Sequence, residues 1–175
     1  MIQVDNDHKS ACRELISILL LKGMKKIGLI GGIESHVVTQ NRLQGYIEAH
    51  KAAGMALDKD IICVNVEKDI LIEQGVERLL AHGADCIVCL DDAVCIHVLN
   101  KLRRENIQVP DQMRVASFYD STILENNLPS VTSLSFDARE LGNVACKILL
   151  EVVEGKQTDF RTLLGYEVVL KESTK

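Results

Sequence analysis

Asp91 and Asp92 stand side by side at the end of the apolar run Cys-Ile-Val-Cys-Leu, and Ala-Val-Cys-Ile-His follows them. Two acids in that position can act as a catalytic pair, hold a hydrated metal ion, grip a small ligand, or simply end a strand in solvent. Asp92 also sits where a helix N-cap or first-turn acid would satisfy unpaired backbone N–H groups, and it can do so while presenting one oxygen to a ligand. Arg42 adds a cation in or near the first turn of another helix. As a surface residue it would oppose the helix dipole by about 0.3–1 kcal/mol. Aimed into a cleft it is a planar five-donor clamp, and opposite a carboxylate it suits vicinal hydroxyls or a purine edge. Which chemistry holds depends on whether the fold gathers these residues at one edge.

The elements that must position them follow from short apolar runs alternating with helical patterns. Ala11, Leu15, Ile18 and Leu19 predict a helix over 8–22, ended by Gly23. KKIGLIGG (25–32) reads as a buried strand entering a glycine turn, and 39–53 as a helix with Leu43, Tyr46, Ile47 and His50 on one side. Strands over 61–66, 85–90 and 113–118 are separated by helices reaching about residue 82 and about residue 105. This order predicts right-handed βαβ units and an α/β fold with a parallel, Rossmann- or flavodoxin-like sheet flanked by helices. Ligands of such sheets bind beyond the carboxyl ends of the strands. That edge collects Gly31, Gly32 and His36, then Thr39 to Arg42, then Glu67 to Asp69, then Asp91 and Asp92, then Tyr119, Asp120 and Ser121.

After residue 120 the rhythm changes. A loop-like stretch leads to an extended piece at 130–136, and Asp137 and Glu140 have capping-box spacing ahead of a helix. Leu141, Val144, Ala145, Ile148, Leu149 and Val152 give that helix one apolar stripe, stopped by Gly155. Residues 162–171 predict a final strand.

Composition narrows the function. The 175 residues suit one domain, or one with an appendage, and 47% hydrophobic content supplies a core. A net charge of −5 with scattered Lys and Arg argues against binding a phosphate backbone through this chain. Aromatics are 3% with no Trp, so a pocket has few stacking surfaces. No apolar run approaches the ~18 residues of a membrane span, and the polar N-terminus does not read as a signal peptide. Of six cysteines, Cys86 and Cys89 form a C-x-x-C inside a strand, where residues three apart face opposite ways and cannot share a metal. The glycines at 28, 31 and 32 do not make a G-x-G-x-x-G turn, and no G-K-[ST] follows a glycine loop. Magnesium on Asp91, Asp92 and Asp120 would lack the further acid pair and lysine of response-regulator receivers. No nucleophile with an adjacent base is visible, so neither metal, cofactor nor catalysis is expected. His97 reads as core or helix surface. The chemistry on the rim is binding.

Taken in order, these segments resemble the lactose-repressor (LacI/GalR) family. VDNDHKSACRELISILLLKGMKKIGLIGG carries an Asp-Asn crossover before a helix, a K-G-x-x-x-I step and an I-G-G strand end. NRLQGY (41–46) is similar to R-x-x-G-[YFW], VCLDDA (88–93) to an N-D strand end, VPDQMRVASFYD (109–120) to V-P-x-D-x-x-V-x-G-[YF]-D-D, and LPSVTSL (128–134) to P-x-L-T-[ST]-[IV]. The resemblance implies one lobe of a periplasmic-binding-protein-like fold, with a sugar- or nucleoside-like effector held between two lobes. By position it makes Arg42 and Asp92 cleft residues, and with the rim reading the expected effector contacts are Arg42, Asp91, Asp92, Tyr119, Asp120, Ile70 and Gly32. Asp91 stands where the family has Asn, Ser117 where it has Gly, Tyr119 where it has the first Asp, and Ile70 where an aromatic is common. Members are longer repressors, so the chain is expected to start at the crossover into the second lobe. Residues 8–120 with 161–172 would form that lobe, and the helix within 130–155 would belong to a first lobe outside the chain. Operator DNA would be met only through a headpiece that is also outside it. A cytoplasmic homodimer away from any membrane is expected, with self-association through the 137–154 helix. A transporter's solute-binding protein and an α/β enzyme are the alternatives.

Overall fold

Four consecutive buried residues in each of two strands, β2 (Ile27–Ile30) and β4 (Cys86–Cys89), require a sheet covered on both faces. The computed structural model describes residues 2–175, with the backbone alone for Glu125. In chain order the other elements are β1 (Gln3–Asn6), α1 (His8–Leu21), α2 (Val37–Ala52), β3 (Ile62–Cys63), α3 (Asp69–Ala81), α4 (Asp92–Arg104) and β5 (Arg114–Ser117). Then come a single turn α5 (Thr122–Glu125), β6 (Thr132–Ser135), α6 (Ala138–Val153), β7 (Arg161–Leu164) and β8 (Glu167–Val169). The main sheet has the order β3-β2-β4-β5-β6-β8. All neighbours pair in parallel except β8, which runs antiparallel to β6.

The period of two along each strand divides the interior. Ile27, Leu29, Cys86, Val88, Ala116 and Phe118 pack with Ala11, Leu15 and Leu19 of α1 and Tyr46 of α2. Ile30, Ile87, Cys89 and Val115 pack with Val76 and Leu79 of α3 and Val98 and Leu102 of α4. Cys86 and Cys89 therefore lie in different cores, as strand geometry dictates, and both are free thiols. No helix among the described residues is long and apolar enough to cross a membrane.

Three boundaries differ from the sequence expectation. The strand expected over 61–66 shrinks to two residues, because Asn65 takes a left-handed backbone (φ 63°) and turns the chain toward the β2 loop. There its N–H donates to the Gly32 carbonyl at 2.7 Å, and its side-chain oxygen accepts from the Glu34 N–H at 2.9 Å. The strand expected over 162–171 breaks at Gly165 and Tyr166 into two strands serving different sheets. β7 pairs with β1 in a separate two-stranded parallel ribbon, so the segment joining the main sheet starts at Glu167 rather than at 161. Residues 132–135, grouped by sequence with the following helix outside this lobe, form β6 inside the sheet. Alternation alone could not separate a strand that changes sheets from one that continues.

α6 has the predicted cap, with the Asp137 carboxylate accepting from the Glu140 N–H at 2.9 Å, yet none of its residues is buried. Leu149 is 63% and Val153 77% exposed.

The crossing of α1 and α2 fixes where the rim residues point. At Gly45 a Cβ would lie 2.2 Å from the Lys9 carbonyl oxygen and 2.9 Å from the Arg13 nitrogen, so only glycine lets the backbones approach. Gly45→Ala is expected to lower stability by about 1–3 kcal/mol through forced separation of the helices. Gly142→Ala, on α6 with open space around it, should instead stabilise by up to about 1 kcal/mol through helix propensity. Urea denaturation of both variants checks this, and equal effects would contradict it.

Candidate functional site

α2 starts at Val37, which puts Arg42 in its second turn rather than its first. The side chain runs under the carboxyl edge of the sheet and is 5% exposed. One terminal nitrogen donates to the Leu90 carbonyl at the end of β4. The other donates to the Tyr119 hydroxyl at 2.8 Å and lies 3.3 Å from Nδ1 of His8. The guanidinium carbon stands 4.4 Å from the centroid of Phe118 and 5.1 Å from that of Tyr119, close enough for cation–π attraction to both rings. No described carboxylate forms a salt bridge with it, and its Nε is buried without a partner. Carbonyl, phenol and ring faces thus do the work a counter-ion would normally do for a buried cation.

His8 completes this arrangement. It follows β1 at the start of α1, is 4% exposed, and packs on Phe136 at 5.2 Å between centroids. Burial, and then the positive charge of Arg42, lower its pKa to about 4. The ring is therefore neutral at pH 7, with Nδ1 free to accept from Arg42 and Nε2–H turned toward Asp5, 3.8 Å away. Sequence reasoning missed His8 because it opens the first helix, far along the chain from every other rim residue.

Of the two places expected for Asp92, N-cap or first-turn acid, the structure gives it the second and hands the cap to its neighbour. Asp91, not Asp92, caps α4, its Oδ1 accepting from the Val94 N–H at 2.7 Å. Asp92 is already helical and its carboxylate accepts only from the adjacent Ala93 N–H at 2.9 Å. The β-region dihedrals of Asp91 leave its side chain free to fold back over the first turn, which sequence could not assign between two adjacent acids.

A cavity of ≈ 440 Å³ opens at this edge, with Arg42, Asp91, Tyr119 and Gly32 among its lining residues. Gly32 has φ +73°, and a Cβ there would meet the Thr39 hydroxyl at 2.8 Å, so the loop after β2 closes tightly on α2. Glu67, Asp69, His36 and His97 also line the cavity. His97, assigned from sequence to the core or helix surface, has Nε2 3.5 Å from the Asp69 carboxylate. Asp92 and Asp120 face a smaller adjoining cavity of ≈ 190 Å³, and Tyr119 borders both. Asp120 is ion-paired with Lys171. Ile70 is 59% exposed and lines neither space; on α3 it is Asp69 and Ile72, on either side of it, that face the larger cavity. Five of the seven residues nominated from sequence thus border the two cavities, Gly32 contributes to the larger one through its backbone, and Ile70 stands apart. Among the described residues, no three His, Cys, Asp or Glu side chains are grouped to hold a metal ion.

The profile of the periplasmic binding protein-like domain matches residues 16–174. The HTH-type transcriptional regulator CelR of Thermobifida fusca is 28% identical over 176 residues, covering 97% of this chain and 51% of its own. A solved transcriptional regulator CelR–cellobiose complex superposes with a TM-score of 0.90 at 27% identity, over 99% of this chain and 54% of that one. Transcription regulator CcpA of Lactococcus lactis gives a TM-score of 0.89 at 26% identity, over 98% and 64% respectively. The chain spans about half the length of the curated relatives it matches.

The lowered pKa of His8 makes stability depend on pH. The unfolded ring takes a proton below its ordinary value of 6.5, whereas the folded ring resists until about 4. The contribution is full above 6.5 and is lost as pH falls through that window. Between pH 7 and pH 5 the wild type should lose about 1–2 kcal/mol more than His8→Gln, measured by urea denaturation at both values. Parallel losses would show that His8 is not held neutral.

Proposed function

Because this chain belongs to the periplasmic binding protein-like domain family, in the form carried by LacI-family transcriptional regulators, we propose that it senses the effector of such a repressor. The effector is a small sugar- or nucleoside-like molecule, and its site is the cavity at the carboxyl ends of β2, β3, β4 and β5. The observation that carries this reading is Arg42, a buried cation held by neutral groups beside an open polar cavity. A site built this way is pre-formed, so binding need not order the clamp. A sugar is favoured by the relative whose solved complex contains cellobiose.

In this reading α6 and the β1–β7 ribbon are the elements through which this lobe joins a second one, and the effector acts by closing the lobes on each other. The exposed apolar stripe of α6 supports a covered position in the whole assembly, whether against that lobe or in a homodimer. Operator DNA is met through a helix-turn-helix segment outside these residues, in the cytoplasm. The neighbours being transcriptional regulators agrees with a binding role.

The test is thermal stabilisation of the full chain by a panel of mono- and disaccharides, cellobiose included, and nucleosides. A binder should raise the Tm of the wild type and leave that of Arg42→Lys unchanged, because lysine keeps the charge but cannot hold Leu90, Tyr119 and a ligand with one planar fork. Equal stabilisation of both proteins by the same compound would overturn the assignment.

A further inference from the structure

We propose that the effector carries a protonated amine among its hydroxyls, as an amino sugar does, and is not a neutral or acidic carbohydrate. The proposal rests on reading the ≈ 440 Å³ cavity as the effector site and concerns what that site selects. Three carboxylates, those of Glu67, Asp69 and Asp91, line it against the single guanidinium of Arg42. That guanidinium does not neutralise them. Its terminal nitrogens already donate to the Leu90 carbonyl and the Tyr119 hydroxyl and one lies beside His8, and it forms no salt bridge with any of the three.

The carboxylates themselves are available. Asp91 spends Oδ1 on the cap of α4 and has Oδ2 left over. Glu67 makes no side-chain hydrogen bond or ion pair among the described residues, and Asp69 meets only His97, at 3.5 Å. Asp92 adds a further acid in the adjoining space. A neutral sugar entering here would desolvate carboxylates that gain only hydroxyl donors in return. An ammonium would gain charge-assisted hydrogen bonds from the same groups. An acidic sugar or a phosphate would be repelled. Tyr119, as a hydroxyl acceptor for Arg42, keeps the cation turned inward. With one phenol ring on the lining and no Phe or Trp, ring stacking contributes little to selection and charge contributes more.

The experiment is a set of matched pairs titrated calorimetrically into the full chain: glucosamine with glucose and with N-acetylglucosamine, galactosamine with galactose, and deacetylated chitobiose with cellobiose. Where a pair binds, the amine should bind about tenfold or more tightly, a difference on the scale of one good charge pair. In Glu67→Gln/Asp91→Asn that preference should fall to about threefold or less, and Asn keeps the helix cap so the fold survives. Neutral members binding as well as the amines would overturn the charge inference and leave the effector site standing. A preference that persists in the double variant would also overturn it, since the acids named would not be its source. If no compound of either kind binds, the effector reading itself falls, and this inference with it.

Discussion

A guanidinium buried without a carboxylate is the constraint on which the rim is built. Arg42 is stabilised by one main-chain carbonyl, one phenol, one neutral imidazole and two aromatic faces, drawn from three separate parts of the chain at Leu90, Phe118–Tyr119 and His8. Leu90 must end β4 at the right height, Phe118 and Tyr119 must leave β5 beside it, and α1 must bring His8 down onto Phe136. Gly45 sets the distance between α1 and α2 that makes the meeting possible. Because the cation is satisfied internally, the acids around the cavity keep their charge for whatever enters. Had Asp91 or Glu67 paired with Arg42, that carboxylate would be held by the guanidinium and less available to a ligand.

The same cluster ties together the segments that leave the main sheet. His8 begins α1 immediately after β1, and Phe136 follows β6 immediately before α6, so both strands of passage toward α6 and the ribbon touch the group that holds Arg42. Tyr166, between β7 and β8, reaches the cluster through Phe136 and is anchored by donating its hydroxyl to Glu14 at 2.7 Å. In the proposed two-lobe protein these three passages are the hinge. A ligand that shifts Tyr119 or Arg42 would press on residues at the hinge itself, with no long relay between site and switch. The neutrality of His8 is part of that design, since a second positive charge beside Arg42 would push the cluster apart.

Much of this was legible in the sequence because strand and helix periods dominate it. Buried parallel strands betray themselves as continuous apolar runs, and the carboxyl-edge rule then names the rim, so Arg42, Asp91, Tyr119 and Gly32 were within reach. What periodicity does not encode is register and backbone turns of single residues. The left-handed turn at Asn65 shortened β3, the rotation of α3 turned Asp69 and Ile72 rather than Ile70 to the cavity, and the break at Gly165 sent β7 and β8 to different sheets. Which of two adjacent aspartates caps α4 depends on one pair of backbone dihedrals. His8 was invisible for a different reason: its partners are 34 and 128 residues away, and nothing local in DNDHKS announces them.

The claim that stands over the rest is that Arg42 is the fixed point of a ligand site. Its Nε–H, buried and unpartnered, gives a separate resonance in a proton–nitrogen correlation spectrum of the ¹⁵N-labelled full chain. Titrating a compound that stabilises the protein should shift that resonance together with the backbone amides of Gly32, Asp91 and Tyr119. If a stabilising compound leaves all four in place and moves a set of amides elsewhere, the rim at the carboxyl edge is not the effector site.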